Sequence, residues 1–270
     1  MDKKRLSCTT VTFGGKLPEK LRAMRDAGFV ATEFWPKDYY EHNEGPDVAI
    51  NALAQYGLTP LAYQCLRNFE GMPDALRSRK TAIARQLFDQ MNSIGCETVV
   101  LCSNIAPDCS GDRGRAVDDL RQLGELAAQY GVRVAYEPIC WGRWVRDYRD
   151  GWDLIRTVDH PNIGIVLDSF HVFALDLPVE PIADIDPAKV FLVEVADLPK
   201  VQLDFVELSR AFRLFPGEGA TPIDSFLAQV DRIGYRGILS LEVFNTYYQT
   251  LDVDLVARRA MTSMERLLGG

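Results

Sequence analysis

The sequence predicts an α/β protein built as one (β/α)8 barrel, and three features of the chain lead to that prediction. Short runs rich in β-branched and aromatic residues alternate with longer amphipathic segments. Glycine recurs where an amphipathic segment passes into the next short run. In the second half of the chain, four consecutive short runs each end in an acidic residue. This repeated pattern is typical of a closed ring of parallel strands.

Eight short runs are predicted to be the strands of the barrel. They cover residues 7–12, 31–34, 59–64, 98–101, 133–136, 163–167, 190–195 and 238–241. The strongest predicted helices cover residues 17–27, 48–55, 75–94, 114–129, 151–158, 222–233 and 253–268. Within 116–128, apolar residues such as Val117, Leu120 and Leu123 recur at helical spacing with charged residues between them. The seventh unit is irregular, because residues 202–212 predict only a short helix of mixed polarity before a loop.

Glycine at the helix-to-strand junctions supplies the left-handed backbone conformation that ends a helix before the chain reverses. Five junctions carry it, at Gly28, Gly57, Gly95, Gly131 and Gly234. A doubly wound open sheet is the alternative fold. However, no G-x-G-x-x-G motif follows the first strand, and acids spread over strands five to eight suit a ring better than an open sheet.

Length and charge predict one domain, residues 1–270, that acts on a small molecule. No linker rich in Ser, Gly or Pro divides the chain. The net charge is −8 and the basic residues are dispersed, which argues against nucleic acid as the main partner. We expect neither a membrane span nor a signal peptide, because no long apolar run follows the charged start of the chain.

The six cysteines predict a reducing environment. None of them forms a C-x-x-C pair, and several lie in or beside apolar runs. In a chain of 270 residues this usage favours free thiols in the cytoplasm over a disulfide framework or a zinc–cysteine site. An exposed apolar rim of the barrel could support a homo-oligomer.

The four strand-end acids predict a metal centre. Glu137, Asp168 and Glu242 directly follow predicted strands five, six and eight, and Glu194 follows the apolar run 190–193 of predicted strand seven. A carboxylate at the end of a buried run is costly unless something neutralises it, and the carboxyl ends of barrel strands converge on one face. Mg²⁺, Mn²⁺ and similar hard divalent cations, to which we add Co²⁺, prefer such oxygen ligands. The alternative is that each acid is solvated or forms an ordinary salt bridge.

His171 is the histidine expected at this centre, because it follows Asp168 by three residues and histidine exchanges protons near neutral pH. A structural, hydrogen-bonded histidine is the alternative. His160 precedes strand six and is expected on the opposite face of the barrel, while His42 lies in a polar loop after strand two.

Arginines near strand ends could bind an anionic substrate, because the guanidinium group matches a carboxylate. Arg67 follows strand three, and Arg210 and Arg213 precede a loop that contains Gly217 and Gly219. A surface ion pair is the alternative for each arginine. The two glycines lack the lysine and the helix of a phosphate loop, so a plain turn is predicted.

Several linked motifs are similar to those of the xylose isomerase-like barrel superfamily of sugar isomerases and epimerases, and within it to the bacterial 3-dehydroshikimate dehydratases. The resemblance covers nearly the whole chain. Its motifs are at 67–71, 102–104, 136–137, 141–143, 159–161, 167–171, 196–197, 209–219 and 240–245.

This resemblance implies a metal-dependent lyase that converts 3-dehydroshikimate to protocatechuate through an enediolate. It implies metal ligation by Glu137, Asp168, Glu242 and the residue at 194. It also implies acid/base work by His171 beside Glu137. Substrate contacts are implied for Arg67, Ser209 and Arg213. The substrate would then be a carboxylated polyhydroxy ketone.

Glu194 departs from the family pattern, which usually has Gln or His at this position. Four carboxylates give the site a charge of −4 before a cation binds, and like charges this close should raise the pKa of at least one of them. We therefore expect that Glu194 is protonated when the metal binds, or that it tightens the binding of a divalent cation.

Three other functions remain open from the sequence. A ketose 3-epimerase or aldose–ketose isomerase would use the same metal and the same proton abstraction, but would return the proton instead of expelling hydroxide. An abasic-site endonuclease would need more histidines and a basic groove. A binding or regulatory barrel would need no metal.

Overall fold

A computed structural model of the chain describes residues 5–40 and 47–269, and His42 therefore lies outside the described residues. Eight parallel strands close into a barrel in the order of the chain, with β1 paired to both β2 and β8. The strands are β1 Leu6–Thr9, β2 Ala31–Phe34, β3 Thr59–Arg67, β4 Thr98–Cys102, β5 Arg133–Glu137, β6 Ile163–Asp168, β7 Val190–Val195 and β8 Leu239–Leu241. The predicted (β/α)8 barrel is confirmed.

Helices connect and surround these strands. They are α1 Leu17–Ala27, α2 Pro36–Tyr40, α3 Asp47–Tyr56, α4 Asp74–Ile94, α5 Arg113–Gln129, α6 Tyr148–Val158, α7 Ser169–Ala174, α8 Phe205–Ala211, α9 Ile223–Arg232 and α10 Val253–Leu268. The irregular seventh unit contains the short α8, as expected. No helix in residues 5–40 and 47–269 is long and apolar enough to cross a membrane.

Two strand ends, those of β1 and β3, differ from the sequence prediction by three residues, and the other strand boundaries differ by at most one residue. The chain leaves β1 at Thr9 and forms a 3₁₀ turn over Thr10–Thr12, where the Thr10 hydroxyl accepts a hydrogen bond from the backbone N–H of Trp35. The third strand continues three residues further than expected, because Leu66 and Arg67 still pair with Leu101 and Cys102 of β4.

The junction glycines behave as predicted. Gly28, Gly57, Gly95, Gly131 and Gly234 all have positive φ, between 64° and 106°. Gly28 shows the reason, since its left-handed conformation lets its N–H return to carbonyls in the last turn of α1. These junctions turn each helix back into the barrel, and the carboxyl ends of all eight strands therefore lie at one mouth.

The interior of the barrel contains polar as well as apolar side chains. Apolar residues of the strands and helices form most of the buried core. Glu33 on β2, Gln64 on β3 and Glu194 on β7 are nevertheless buried as well. Since β3 and β7 are not neighbours in the ring, the hydrogen bond from Gln64 to Glu194 passes through the barrel interior.

Candidate metal centre

The structure brings the four strand-end acids together. Glu137, Asp168 and Glu194 lie at the ends of β5, β6 and β7, and Glu242 directly follows β8. One carboxylate oxygen from each of the four lies within 4.8 Å of the others. All four side chains are buried. Residues more than 100 positions apart in sequence thus form one compact acidic cluster.

Arg213 lies against this cluster and neutralises part of its charge. Its Nη1 atom is 2.9 Å from Asp168 Oδ2 and 2.7 Å from Glu242 Oε2. The guanidinium carbon lies 4.1 Å from the centroid of the Phe170 ring, and the arginine is only 2% exposed. Burial by itself would lower the pKa of Arg213, but the carboxylates of Asp168 and Glu242 raise it, so the side chain stays charged.

Ser209 supports Arg213 from the preceding helix. Its hydroxyl accepts a hydrogen bond from Arg213 Nη2 at 3.1 Å, and its carbonyl accepts one from Nε at 3.2 Å. Ser209 is itself buried on α8. Its contacts with Arg213 hold the guanidinium group toward the acids.

Glu137, Glu194 and Glu242 differ in their affinity for protons. Burial would raise the pKa of Glu137, but the neighbouring His171 and Arg213 lower it to about 2. Burial and the surrounding carboxylates raise the pKa of Glu194 well above its usual value. Burial also raises the pKa of Glu242, although Arg213 opposes the shift. Glu194 and Glu242 therefore hold protons more tightly than Glu137 does.

His171 faces the same cluster from α7. The backbone N–H of Cys140 donates a hydrogen bond to His171 Nδ1 at 3.2 Å, so the neutral ring carries its proton on Nε2. That Nε2 atom lies 3.2 Å from Glu137 Oε1 and 3.5 Å from Asp168 Oδ2. His171 and one oxygen from each of Glu137 and Asp168 all lie within 4.8 Å of one another, so His171 would be a ligand only after Nε2 loses its proton. His160 is bound instead to the outer helix α5, 3.3 Å from Glu125.

Two buried residues that contact this cluster were not predicted from the sequence. Glu33 lies at the mouth end of β2 and is fully buried. Gln64 donates hydrogen bonds to Glu33 Oε2 at 2.8 Å and to Glu194 Oε1 at 2.9 Å. Glu33 could have been found from the sequence, because it is a charged residue inside the short predicted strand 31–34. Gln64 carried no comparable signal, since its role depends on partners from two other strands.

A narrow cleft opens above the acids. Arg67 lines it from the end of β3 with an exposed side chain, and Cys102 Sγ lies 3.2 Å from Glu137 Oε2. Its lining also includes Gln64, Cys65, Ile139, Trp141, Ser209, Arg210 and Phe244. The cleft thus combines cationic, aromatic and thiol groups next to the acids. All six cysteines are free thiols.

The loop with Gly217 and Gly219 is a turn around Asp197. The N–H groups of Gly217 and Gly219 both donate to Asp197 Oδ2 at 3.0 Å. A Cβ atom at position 219 would come within 2.3 Å of the Asp197 carboxylate. Glycine is therefore needed there for the close approach of the backbone, and the loop stabilises the connection from α8 to α9.

The residues of the acidic cluster fit a hard divalent cation. The donors are carboxylate oxygens, which such cations prefer. Glu194 Oε2 is buried and accepts no hydrogen bond, whereas Glu242 Oε2 forms an ion pair with Arg213. Buried carboxylate oxygens without hydrogen bonds are costly in a protein interior, and a cation would satisfy them.

Comparison with known proteins agrees with the fold. The chain is 43% identical over 239 residues to a 3-dehydroshikimate dehydratase of Pseudomonas aeruginosa, a match that covers 88% of this chain and 38% of that protein. The chain thus spans well under half the length of this curated relative.

Solved structures give the same result for the fold. A fusion protein of a xylose isomerase-like TIM barrel with a 4-hydroxyphenylpyruvate dioxygenase matches with a TM-score of 0.95 and 38% identity, over 98% of this chain and 43% of that one. The IOLI protein with a bound zinc atom matches with a TM-score of 0.85 and 22% identity, over 98% of each chain. The profile of the xylose isomerase-like TIM barrel family matches residues 21–267. The chain therefore belongs to the xylose isomerase-like TIM barrel family.

Proposed function

We propose that this protein is a divalent-metal-dependent hydro-lyase that dehydrates 3-dehydroshikimate to protocatechuate. The observation that carries the proposal is the convergence of the four buried carboxylates beside Arg213 and His171. The similarity to a named 3-dehydroshikimate dehydratase supports the choice of substrate. The zinc atom of the IOLI protein, a more distant relative, is consistent with a metal in this fold.

Glu137, Asp168, Glu194 and Glu242 would hold the cation. When bound, a divalent cation supplies Lewis acidity, which polarises a ketone oxygen and stabilises the negative charge that develops there.

The other residues of the site bind the substrate and move protons. Arg67 at the cleft and Arg213 would orient the substrate carboxylate. Proton exchange with the substrate would go through His171 Nε2, because Nδ1 is engaged by the N–H of Cys140. Loss of a proton next to the ketone, followed by loss of hydroxide and tautomerisation, gives an aromatic product, and aromaticity drives the reaction forward.

The direct test is to add 3-dehydroshikimate to protein loaded with Mg²⁺, Mn²⁺ or Co²⁺ and to follow the ultraviolet absorbance of protocatechuate. We expect an absorbance increase with at least one of the three metals, and none with Glu137→Ala. No absorbance change with any of the metals would rule out this substrate.

An epimerase or isomerase is the second candidate, because the same acids and His171 could return the proton instead. Arg67→Ala discriminates between the two, since a sugar ketose has no carboxylate for the arginine to bind. We expect it to reduce dehydratase kcat/KM by at least about ten-fold, the loss of one charge-assisted contact. Arg79→Ala, at an exposed arginine on α4, is the matched control. Epimerase activity that Arg67→Ala leaves unchanged would favour the second candidate.

A further inference from the structure

Gln64 lies between two fully buried carboxylates from different strands. Its Nε2 atom is 2.8 Å from Glu33 Oε2 and 2.9 Å from Glu194 Oε1. An amide nitrogen carries two hydrogens, and this geometry gives one hydrogen to each carboxylate. The donor capacity of the side chain is therefore used completely by Glu33 and Glu194.

This arrangement makes the two oxygens of Glu194 unequal. Oε1 is held by Gln64, whereas Oε2 is buried and accepts no hydrogen bond. Glu194 is also one of the four acids whose oxygens lie within 4.8 Å of one another. A carboxylate with one oxygen fixed by a hydrogen bond presents the other in a defined direction, and such support commonly affects metal affinity.

Glu33 determines which way the Gln64 amide faces. If the amide turned over, its carbonyl oxygen would face both carboxyl groups. That oxygen could accept a hydrogen bond only from a protonated carboxyl group, and any ionised carboxylate beside it would lose its donor. Only the NH₂ end satisfies both neighbours at once. Glu33 does not belong to the group of four acids, yet it fixes the donor that reaches Glu194.

We propose that Gln64, oriented by Glu33, is the positioning residue that holds Glu194 as a one-oxygen ligand of the divalent cation. The inference rests on the metal centre of the proposed function and explains how a glutamate is accommodated at position 194. A glutamine there could ligate through its carbonyl only by turning its own NH₂ toward the NH₂ of Gln64. A glutamate at position 194 can therefore accept a hydrogen bond from the Gln64 amide and keep its second oxygen for the cation.

The test is Mn²⁺ binding to the metal-free full chain without substrate, measured by electron paramagnetic resonance of free Mn²⁺. Gln64→Met keeps the length of the side chain and removes the amide. We expect it to weaken Mn²⁺ binding by at least about ten-fold, as for other residues that orient metal ligands. Gln229→Met on α9 removes a half-buried amide away from the acids and should stay within two-fold of the wild type.

A double-mutant cycle separates positioning from a general structural effect. In the Glu194→Ala background, Gln64→Met should have almost no further effect on Mn²⁺ affinity, because its target is gone. Equal weakening in both backgrounds, or no weakening by Gln64→Met alone, would overturn the inference. If circular dichroism shows that Gln64→Met does not fold, Glu33→Met replaces it, since that change leaves the amide free to turn and should also weaken Mn²⁺ binding.

The outcome is distinguishable from failure of the proposed activity. The expected Mn²⁺ pattern without turnover of 3-dehydroshikimate would support the positioning role and reject only the substrate. A wild-type chain that does not bind Mn²⁺ would overturn the metal centre and the inference together.

Discussion

At the scale of single residues, the most unusual groups are the buried acids whose protons the fold controls. Glu194 and Glu242 bind protons more tightly than usual because they are buried near other carboxylates, while Glu137 binds them less tightly beside His171 and Arg213. Glu70 shows the effect of burial outside the acidic cluster. Its Oε1 accepts hydrogen bonds from the Asn104 N–H and the Tyr136 hydroxyl, and its Oε2 is buried without a partner.

Glu70 should make the stability of the protein depend on pH. Burial raises its pKa from 4.5 to about 7, so between these values the folded chain holds a proton that the unfolded chain releases. The stabilisation of the folded chain that comes from this proton is complete below pH 4.5, and it is lost as the pH rises through about 7. From about pH 4 to pH 8, we expect wild-type stability to fall by up to about 3 kcal/mol relative to Glu70→Gln.

Urea unfolding of the two chains at several pH values measures this difference. Contributions from the other acids cancel in the comparison. A stability difference that stays constant over this pH range would contradict the assignment.

The residues that the sequence could predict are those whose chemistry conflicts with their local surroundings. An acid after an apolar run is such a conflict, and it led to Glu137, Asp168, Glu194 and Glu242. Gln64 presents no conflict, since a glutamine at a strand end is ordinary. Its role appears only when ring closure places β3 across the barrel from β7.

At the scale of elements, the predicted strands and helices agree closely with the structure, and the differences have local causes. Hydrophobic periodicity defines the long helices well, and α1 and α10 have the predicted bounds. The predicted ends of β1 and β3 were wrong. The chain after β1 makes a hydrogen bond to Trp35, and the end of β3 pairs with β4. Such contacts are set by neighbouring strands and not by local propensity.

The packing of α5 gives a test at this scale. A Cβ atom at Gly124 would come within 2.5 Å of Nδ1 of the buried His160 ring. Gly124→Ala gains about 1 kcal/mol of helix propensity, but crowding in a packed interior costs about 1–3 kcal/mol. We expect a net destabilisation of up to about 2 kcal/mol in urea unfolding.

The same substitution in a His160→Ala background serves as its control. With the ring removed, Gly124→Ala should stabilise the chain. Destabilisation of equal size in both backgrounds would show that the ring is not the cause.

At the scale of the whole molecule, the acidic cluster links distant parts of the chain. Its four acids come from the ends of β5 to β8, so half of the ring contributes to one centre. A ligand that binds only the folded protein stabilises it according to its concentration and affinity. A cation at this centre should therefore stabilise the barrel as a unit.

We expect Mn²⁺ to raise the free energy of unfolding by about 2.7 kcal/mol when its free concentration is 100 times its dissociation constant. Urea unfolding in Mn²⁺ and in EDTA measures the effect. In Glu137→Ala the two midpoints should coincide, because a ligand is missing. Coincident midpoints in the wild type would contradict a cation at this centre.

The pairing of β1 with β8 has a consequence for how copies of the chain meet. Each strand in the described part of the chain lies between two others, so its backbone donors and acceptors are already engaged on both sides. None of these eight strands, within residues 5–40 and 47–269, offers the free edge along which sheets of separate molecules extend into fibrous aggregates. Any assembly of folded copies must therefore use side chains of the helices and loops.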